Sequence, residues 1–537
     1  MKKILFMFTS LIIVLLSSSV VHAEEKNESQ KANYFVEFEF PKITDENKPE
    51  LKSKQKKFNK IIERGTEVIE TFENFPFILI KTDEKTIEKI RKIDGVVSVS
   101  KEETFNSKTE SGETPIQQTC SECDNNYLLE TKAQALHNQG FTGKGTKVAV
   151  MDTGVLSDHQ DINLKTEVAC YKDALKCKVT TGDDPLDAHG TMVAGIINGK
   201  GIQTKGVAPG ADLYSIKFGY TNMFGNWNSD ESSFIKGIDW AINNGIHIIN
   251  MSFVLQGDYS LGNTDGILYK AFARAATDYG ILMVAATGNE STNSIIYPAS
   301  SDYVLGVSNW DYLTDKLYPD SNYGRGTSFA APGVRLWMPT GIGSKSYVGH
   351  SGTSFSSPMV AGVAALLREK YISTKSNITN LDLIEYMKFM AKEVDAYGSG
   401  KNDYVGYGLI QGEIGNSVDK QITINQTYSL HNMPSDNFKL SLSVNPQSLN
   451  AIRQYKDWYE VNTWVGPRWI KPMYYYGDFQ IILNQDTTNL YDSQNGNLIG
   501  VSLAPQTVKA VQRSGDWFEI KTWLGYKWIK PYSYSIN

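Results

Sequence analysis

Between residues 146 and 289 the sequence alternates short apolar runs with amphipathic ones, and this alternation limits the fold more than any other feature. "TKVAVMDTGV" (146–155), "DLYSIKF" (212–218), "IHIINMSF" (246–253) and "GILMVAATGN" (280–289) read as buried strands. "SDESSFIKGIDWAINNG" (229–245) and "GILYKAFARAATDYG" (266–280) read as helices. Strands that are apolar throughout are covered on both faces, and strands joined through helices run parallel. The expected fold class over about residues 125–415 is therefore α/β, a mainly parallel sheet with helices on both faces. In such sheets the working residues collect at the carboxyl ends of the strands, where Asp152 and Asn289 stand.

Two further residue types complete a chemistry. His189 lies in "DAHGTMVAGII" (187–197), where a Gly-Thr opens an apolar helical run. The tetrapeptide Gly-Thr-Ser-Phe occurs twice, with Ser328 in "YGRGTSFAAPGV" (323–334) and Ser354 in "HSGTSFSSPMVAGVAALL" (350–367). A serine hydroxyl is a weak nucleophile until a His takes its proton, and a carboxylate must hold that His in the right tautomer. A side-chain amide can then donate to the oxyanion without adding charge. Ser354 is the better nucleophile, because an apolar helical pattern follows it and Pro358 falls in the opening turn. Free backbone N–H groups at that helix start would face an incipient anion. Ser328 is followed by Pro332 and Gly333, which end structure and start no helix, so it reads as an ordinary loop serine.

Six segments in order, "VAVMDTGV", "HGTMVAGII", "GVAPGADL", "NMSF", "AATGN" and "GTSFSSPMVAGVAALL", resemble the subtilisin-like serine proteases over roughly 290 residues. The resemblance implies a catalytic triad of Asp152, His189 and Ser354, with Asn289 as the oxyanion amide. It implies polypeptide substrates bound as an added strand. "NMSF" and "MFGNW" match the edges involved, making Ser252, Phe253, Phe224 and Gly225 substrate-site candidates. His159 matches a structural His that follows the triad Asp. Met192 stands where the family commonly has a second His. The loop "NGKGIQTKG" (198–206) lacks the set of Asp and Asn oxygens that would suit calcium. No cofactor is expected for the chemistry, and a structural calcium elsewhere is left without assigned ligands.

The flanks suggest export and storage. "MKK", the run "ILFMFTSLIIVLL" and "SSSVVHA" match a cleavable signal peptide ending at Ala23. No later stretch is long and apolar enough to suggest a membrane span. In residues 24–115, "YFVEFEF", "FPFILIK" and "VVSVS" read as strands and "DEKTIEKIRKIDG" as a helix, a small α+β unit resembling the inhibitory propeptides of the family. The polar stretch "KEETFNSKTESGETPIQQ" (101–118) reads as a cleavable linker, with maturation expected within about 105–125. Residues 116–416 would then be the catalytic domain. Cys120, Cys123, Cys170 and Cys177 are expected to form one or two disulfides in an oxidising compartment, with the pairing left open.

Residues 417–477 and 478–537 are an internal repeat. "PQSLNAIRQYKDWYEVNTWVGPRWIKP" aligns with "PQTVKAVQRSGDWFEIKTWLGYKWIKP" at an offset of 59, with about half the positions identical. Six of the ten tryptophans lie here, a density that calls for either core or binding roles. Short strands with turns between them suggest two small β-barrels, resembling bacterial SH3-like modules that bind cell walls. The fragment is expected to fold alone. A net charge of −6 without a basic stripe argues against nucleic acid. The expectation is a secreted, zymogenic serine endopeptidase with noncovalent wall attachment. The alternatives are a dedicated protease for secreted leader peptides, or an inactive wall-binding protein.

Overall fold

The computed structural model describes residues 31–62, 65–108, 126–171, 177–180, 188–221, 226–255, 266–372, 379–398 and 400–536. Strand Lys147–Asp152 lies inside a nine-stranded sheet. It pairs in parallel with Asp212–Lys217 on one side and Ile248–Met251 on the other. Leu164–Ala169 extends the first side; Leu282–Ala286, Val304–Asp311 and Thr327–Pro332 extend the second, all in parallel. The short strands Lys178–Thr180 and Lys316–Leu317 are antiparallel additions. Ser328 therefore sits in a strand, where the sequence suggested a loop.

The period of two along each strand divides the core. Val148, Val150, Leu213 and Val284 pack with Val193, Ile197, Val360 and Ala364 of the helices His189–Asn198 and Thr353–Ile372. Ala149, Met151, Ile216 and Met283 point the other way, against Phe234, Ile238 and Phe272 of the helices Glu231–Asn243 and Ile267–Thr277. Each fully buried side chain of this size contributes about 1.5–3 kcal/mol by leaving water. Covering both faces is what makes these strands apolar throughout.

The N-terminal unit is a four-stranded antiparallel sheet, Ala32–Phe38, Glu67–Thr71, Phe77–Thr82 and Val96–Lys101, with helices Lys48–Ile61 and Glu84–Ile90. It rests on the helices Glu231–Asn243 and Ile267–Thr277. The Asp239 carboxylate accepts from the backbone N–H groups of Glu73 and Asn74 at 3.1 and 2.8 Å, and Lys270 pairs with Glu37 at 2.6 Å. Phe35, Phe72, Phe75 and Phe77 join the helix-side core. The stretch read as a polar linker begins with a further strand, Thr104–Lys108, antiparallel to Asn226–Asp230. "TFNSK" shows little apolar alternation, so its pairing is set by the edge it meets.

The C-terminal residues form one hydrogen-bonded sheet of thirteen strands around a single apolar core. Strand Tyr474–Leu483 crosses the boundary between the repeats. Its first residues pair with Asn416–Ile424 of the first repeat, and it also pairs with Gln506–Ser514 and Tyr534–Ile536 of the second. The two repeats thus share a strand rather than standing as separate beads.

Candidate active site

Asp152 is the last residue of its strand, buried, with Thr153 N–H donating to Oδ1 at 2.8 Å. His189 opens the helix His189–Asn198, and its Nδ1 lies 2.9 Å from Asp152 Oδ1 and 3.1 Å from Oδ2. An ionised carboxylate can only accept, so Nδ1 carries the proton and Nε2 of the neutral ring is the basic nitrogen. Gly190 N–H donates to Thr153 Oγ1 at 3.0 Å, tying the helix start to the strand end. A Cβ at Gly190 would run into the Gly154 carbonyl oxygen, so only glycine permits this approach.

Ser354 is the second residue of the helix Thr353–Ile372. Its hydroxyl donates to the Ser252 carbonyl at 3.0 Å, and Ser252 Oγ–H donates back to the Ser354 carbonyl at 2.7 Å. Ser252 is itself buried, with Asn250 Nδ2 at 2.8 Å and Ser357 Oγ at 3.0 Å. What Ser252 presents to the site is therefore its carbonyl rather than its side chain. Phe355, the neighbour of Ser354, packs against the His189 ring with centroids 5.8 Å apart, so the helix start faces the imidazole.

Asn289 follows strand Leu282–Ala286. Its Oδ1 accepts from Thr353 N–H at 2.9 Å and from Thr353 Oγ1–H at 3.0 Å. Two donors on the oxygen fix which end of the amide is which and leave Nδ2 as the donor end. That end lies 3.6 Å from where a Cβ on Gly352 would be. The amide thus stands beside the first turn of the Ser354 helix, where backbone N–H groups have no intrahelical partner.

Phe253 packs on Phe218 and Phe234 at 4.6 and 5.6 Å between centroids, and on Trp227 at 6.4 Å. Phe105 of strand Thr104–Lys108 is buried in the same aromatic cluster. Phe224 and Gly225 lie outside the described residues, as do Cys120 and Cys123. Cys170 and Cys177 form a disulfide. Ser328 donates to the carbonyl of Gly326, two residues earlier, at 3.3 Å. His159 is buried, with Nε2 at 2.9 Å from the Ser346 carbonyl, and burial lowers its pKa.

Two supporting residues carried no signal in the sequence. Thr353 orients the Asn289 amide. Glu167, in strand Leu164–Ala169, accepts from Val155 N–H at 2.5 Å and from Ser215 Oγ–H at 2.8 Å, holding the turn after Asp152. Burial raises its pKa, against the opposing pull of those donors and of Lys217. A lone Glu in a half-polar strand looks like a solvent-facing residue until its neighbours are placed.

The loop after the His189 helix offers donors, not oxygens. Buried Asp161 accepts from the N–H groups of Ile202, Gln203 and Thr204 at 2.8, 3.0 and 3.1 Å and from Tyr347 O–H at 2.7 Å. A carboxylate so occupied does not suit a cation at this loop. Among the described residues no group of three or more His, Cys, Asp and Glu side chains is arranged to hold a metal ion.

The subtilase family model matches residues 143–408. The chain is 35% identical over 288 residues to M-protease of Shouchella clausii (strain KSM-K16), covering 53% of this chain and 68% of the relative. It is 30% identical over 415 residues to an alkaline protease of Alkalihalobacillus alcalophilus, covering 76% and 97%. It is also 30% identical over 425 residues to subtilisin E of Bacillus subtilis (strain 168), covering 76% and 96%. With an Asp152–His189 pair at a strand end, a serine at a helix start, and relatives of this identity along most of their length, the chain belongs to the subtilase family and is a subtilisin-like serine endopeptidase.

Proposed function

We propose that peptide hydrolysis runs through Ser354, His189 and Asp152, with Asn289 and the start of the Ser354 helix holding the oxyanion. The observation that carries this reading is the Asp152–His189 hydrogen bond of 2.9 Å opposite the helix that begins at Thr353. His189 Nε2 takes the Ser354 proton as Oγ attacks the carbonyl carbon, and Asp152 stabilises the resulting imidazolium. The proton then passes to the leaving amine, and water repeats the sequence on the acyl-enzyme. A fluorophosphonate probe tests the assignment. Ser354 should be labelled and Ser328 should not; labelling at Ser328, or an active Ser354→Ala protein, overturns it.

The protein is further proposed to be exported and stored as a zymogen. The signal-like N-terminus and the Cys170–Cys177 disulfide support export. Storage is supported by strand Thr104–Lys108, which occupies an edge beside the aromatic cluster as an added strand would. Substrates are polypeptides; a role restricted to secreted leader peptides is a narrower reading that no residue here favours.

The repeats are proposed to bind the bacterial cell wall. Trp464 and Trp523 occupy equivalent positions in the two repeats and are 66% and 70% exposed, against 5% and 9% for the equivalent pair Trp458 and Trp517. Two equivalent rings held at the surface while their neighbours are buried offer matched flat aromatic faces, each with an indole N–H, on which a polymer can pack. Wall pull-down of full-length protein and of Trp464→Ala/Trp523→Ala tests this. Retention should fall with the thermal midpoint unchanged, and equal retention counts against wall binding through these rings.

A further inference from the structure

The far end of the Ser354 helix is held by the first C-terminal repeat. Lys370, in its last turn, reaches Glu413 at 2.7 Å and Glu460 at 3.2 Å, while Arg453 reaches the same two carboxylates at 3.1 and 3.0 Å. The four side chains are 1–5% exposed. Two positive and two negative groups pair with one another, with Glu413 supplied by the connecting segment and Arg453 and Glu460 by the repeat; Gln139 Nε2 also donates to Glu413 at 3.0 Å, and the Lys132 and Arg468 cations act on Glu413 and Glu460. Burial opposes the charge on Lys370, but the two carboxylates outweigh it and raise its pKa. Around this set the contact is apolar and aromatic. Tyr371 O–H donates to Met433 Sδ, Asn432 Nδ2 donates to Tyr386 O–H at 2.9 Å, and Phe438 packs on Tyr386 and Phe389. Met433 belongs to the core of the catalytic unit, and Phe438 packs against that core.

The second repeat works as an internal control. Strand pairing aligns Arg453 with Gln512, Tyr455 with Ser514 and Glu460 with Glu519. Phe438, just before strand Lys439–Val444, corresponds to Asn497 before Leu498–Leu503. Where the first repeat carries a cation and aromatic rings, the second carries small or polar groups, and its Glu519 is only half-buried. The two repeats thus differ at positions where the first meets the catalytic unit.

From this we infer that the first repeat is an obligatory structural partner of the catalytic unit, bracing the helix whose opposite end carries Ser354. The repeats are then not a detachable anchor, and a protease that sheds them loses its fold as well as its attachment. The functional half of this inference rests on Ser354 as the nucleophile.

Glu460→Gln in a Ser354→Ala background leaves two buried cations facing one carboxylate and should lower the thermal midpoint on the order of 10 °C. Lys370→Met/Glu460→Gln removes one charge of each sign, leaves the Arg453–Glu413 pair, and should recover at least half of that shift. Glu519→Gln, the equivalent change in the second repeat, should shift it by no more than about 1 °C. With Ser354 intact, a chain ending at Gly415 should lose fluorophosphonate labelling. A Glu460→Gln midpoint equal to its parent, or a truncated chain labelled at the full-length rate, overturns the inference. Failure of the full-length parent to label would instead refute Ser354 as the nucleophile and leave the thermal readout standing.

Discussion

Replacing Asn289 by Leu removes the amide that points along the Ser354 helix start while keeping a side chain of similar size. In its proposed role the amide acts on charge that appears only in the tetrahedral intermediate, so the expected loss is about 100- to 1,000-fold in kcat with KM little changed. The structure sets a second, smaller step. Thr353 holds Asn289 Oδ1 by two hydrogen bonds, 2.9 Å from its backbone N–H and 3.0 Å from its hydroxyl. Thr353→Val removes the second, together with the acceptor for Gly288 N–H at 3.3 Å, and keeps the first. A neutral hydrogen bond is worth about 0.5–1.5 kcal/mol net, so kcat should fall roughly 2- to 12-fold. Thr353→Ser restores the hydroxyl and should restore the rate. The assay is steady-state hydrolysis of a small peptide at saturating and limiting concentrations, which separates kcat from KM. A loss in Asn289→Leu carried by KM would make the residue a substrate contact. A Thr353→Val loss as large as that of Asn289→Leu would show that the hydroxyl does more than orient the amide.

Further outcomes follow from the same geometry. Ser354→Ala should accumulate as a longer precursor when expressed in a protease-deficient host, detected by mass spectrometry; normal processing there would assign the cut to another enzyme. Asp161→Asn should lower the thermal midpoint at neutral pH, because five donors, the Thr204 hydroxyl at 3.4 Å included, then face a weaker acceptor. Burial alone would raise the Asp161 pKa, but those donors outweigh it and hold it below the usual carboxylate value. The stabilisation is therefore present above the unfolded-state pKa of about 3.9 and is lost as pH falls through the lower folded value. The gap between parent and Asp161→Asn midpoints should close below about pH 4 and stay open above it; a gap that widens on acidification would refute this account of Asp161.

Local pattern carried the parts of this protein that obey local rules. A continuous apolar run in "VAVMD" and helical spacing after His189 and Ser354 depend only on residues within a turn or a strand, so the α/β alternation and the positions of Asp152 and Asn289 at the carboxyl ends of strands were legible before any contact was known. The repeat was legible for the same reason, as one segment compared with another. Contacts between distant segments were not. Nothing in "TFNSK" announces a strand, because its partner Asn226–Asp230 lies over a hundred residues away and supplies the unpaired edge. Glu167 reads as a surface carboxylate until Val155 and Ser215 are brought to it. Lys370, Glu413, Arg453 and Glu460 are four ordinary charges in sequence, tolerable in a core only because folding pairs them with one another. Sequence alone determined the alternating strands and helices around Asp152, His189 and Asn289, and the repeat. Tertiary structure decided which side chains share a low-dielectric space, because desolvation depends on neighbours that chain order does not reveal.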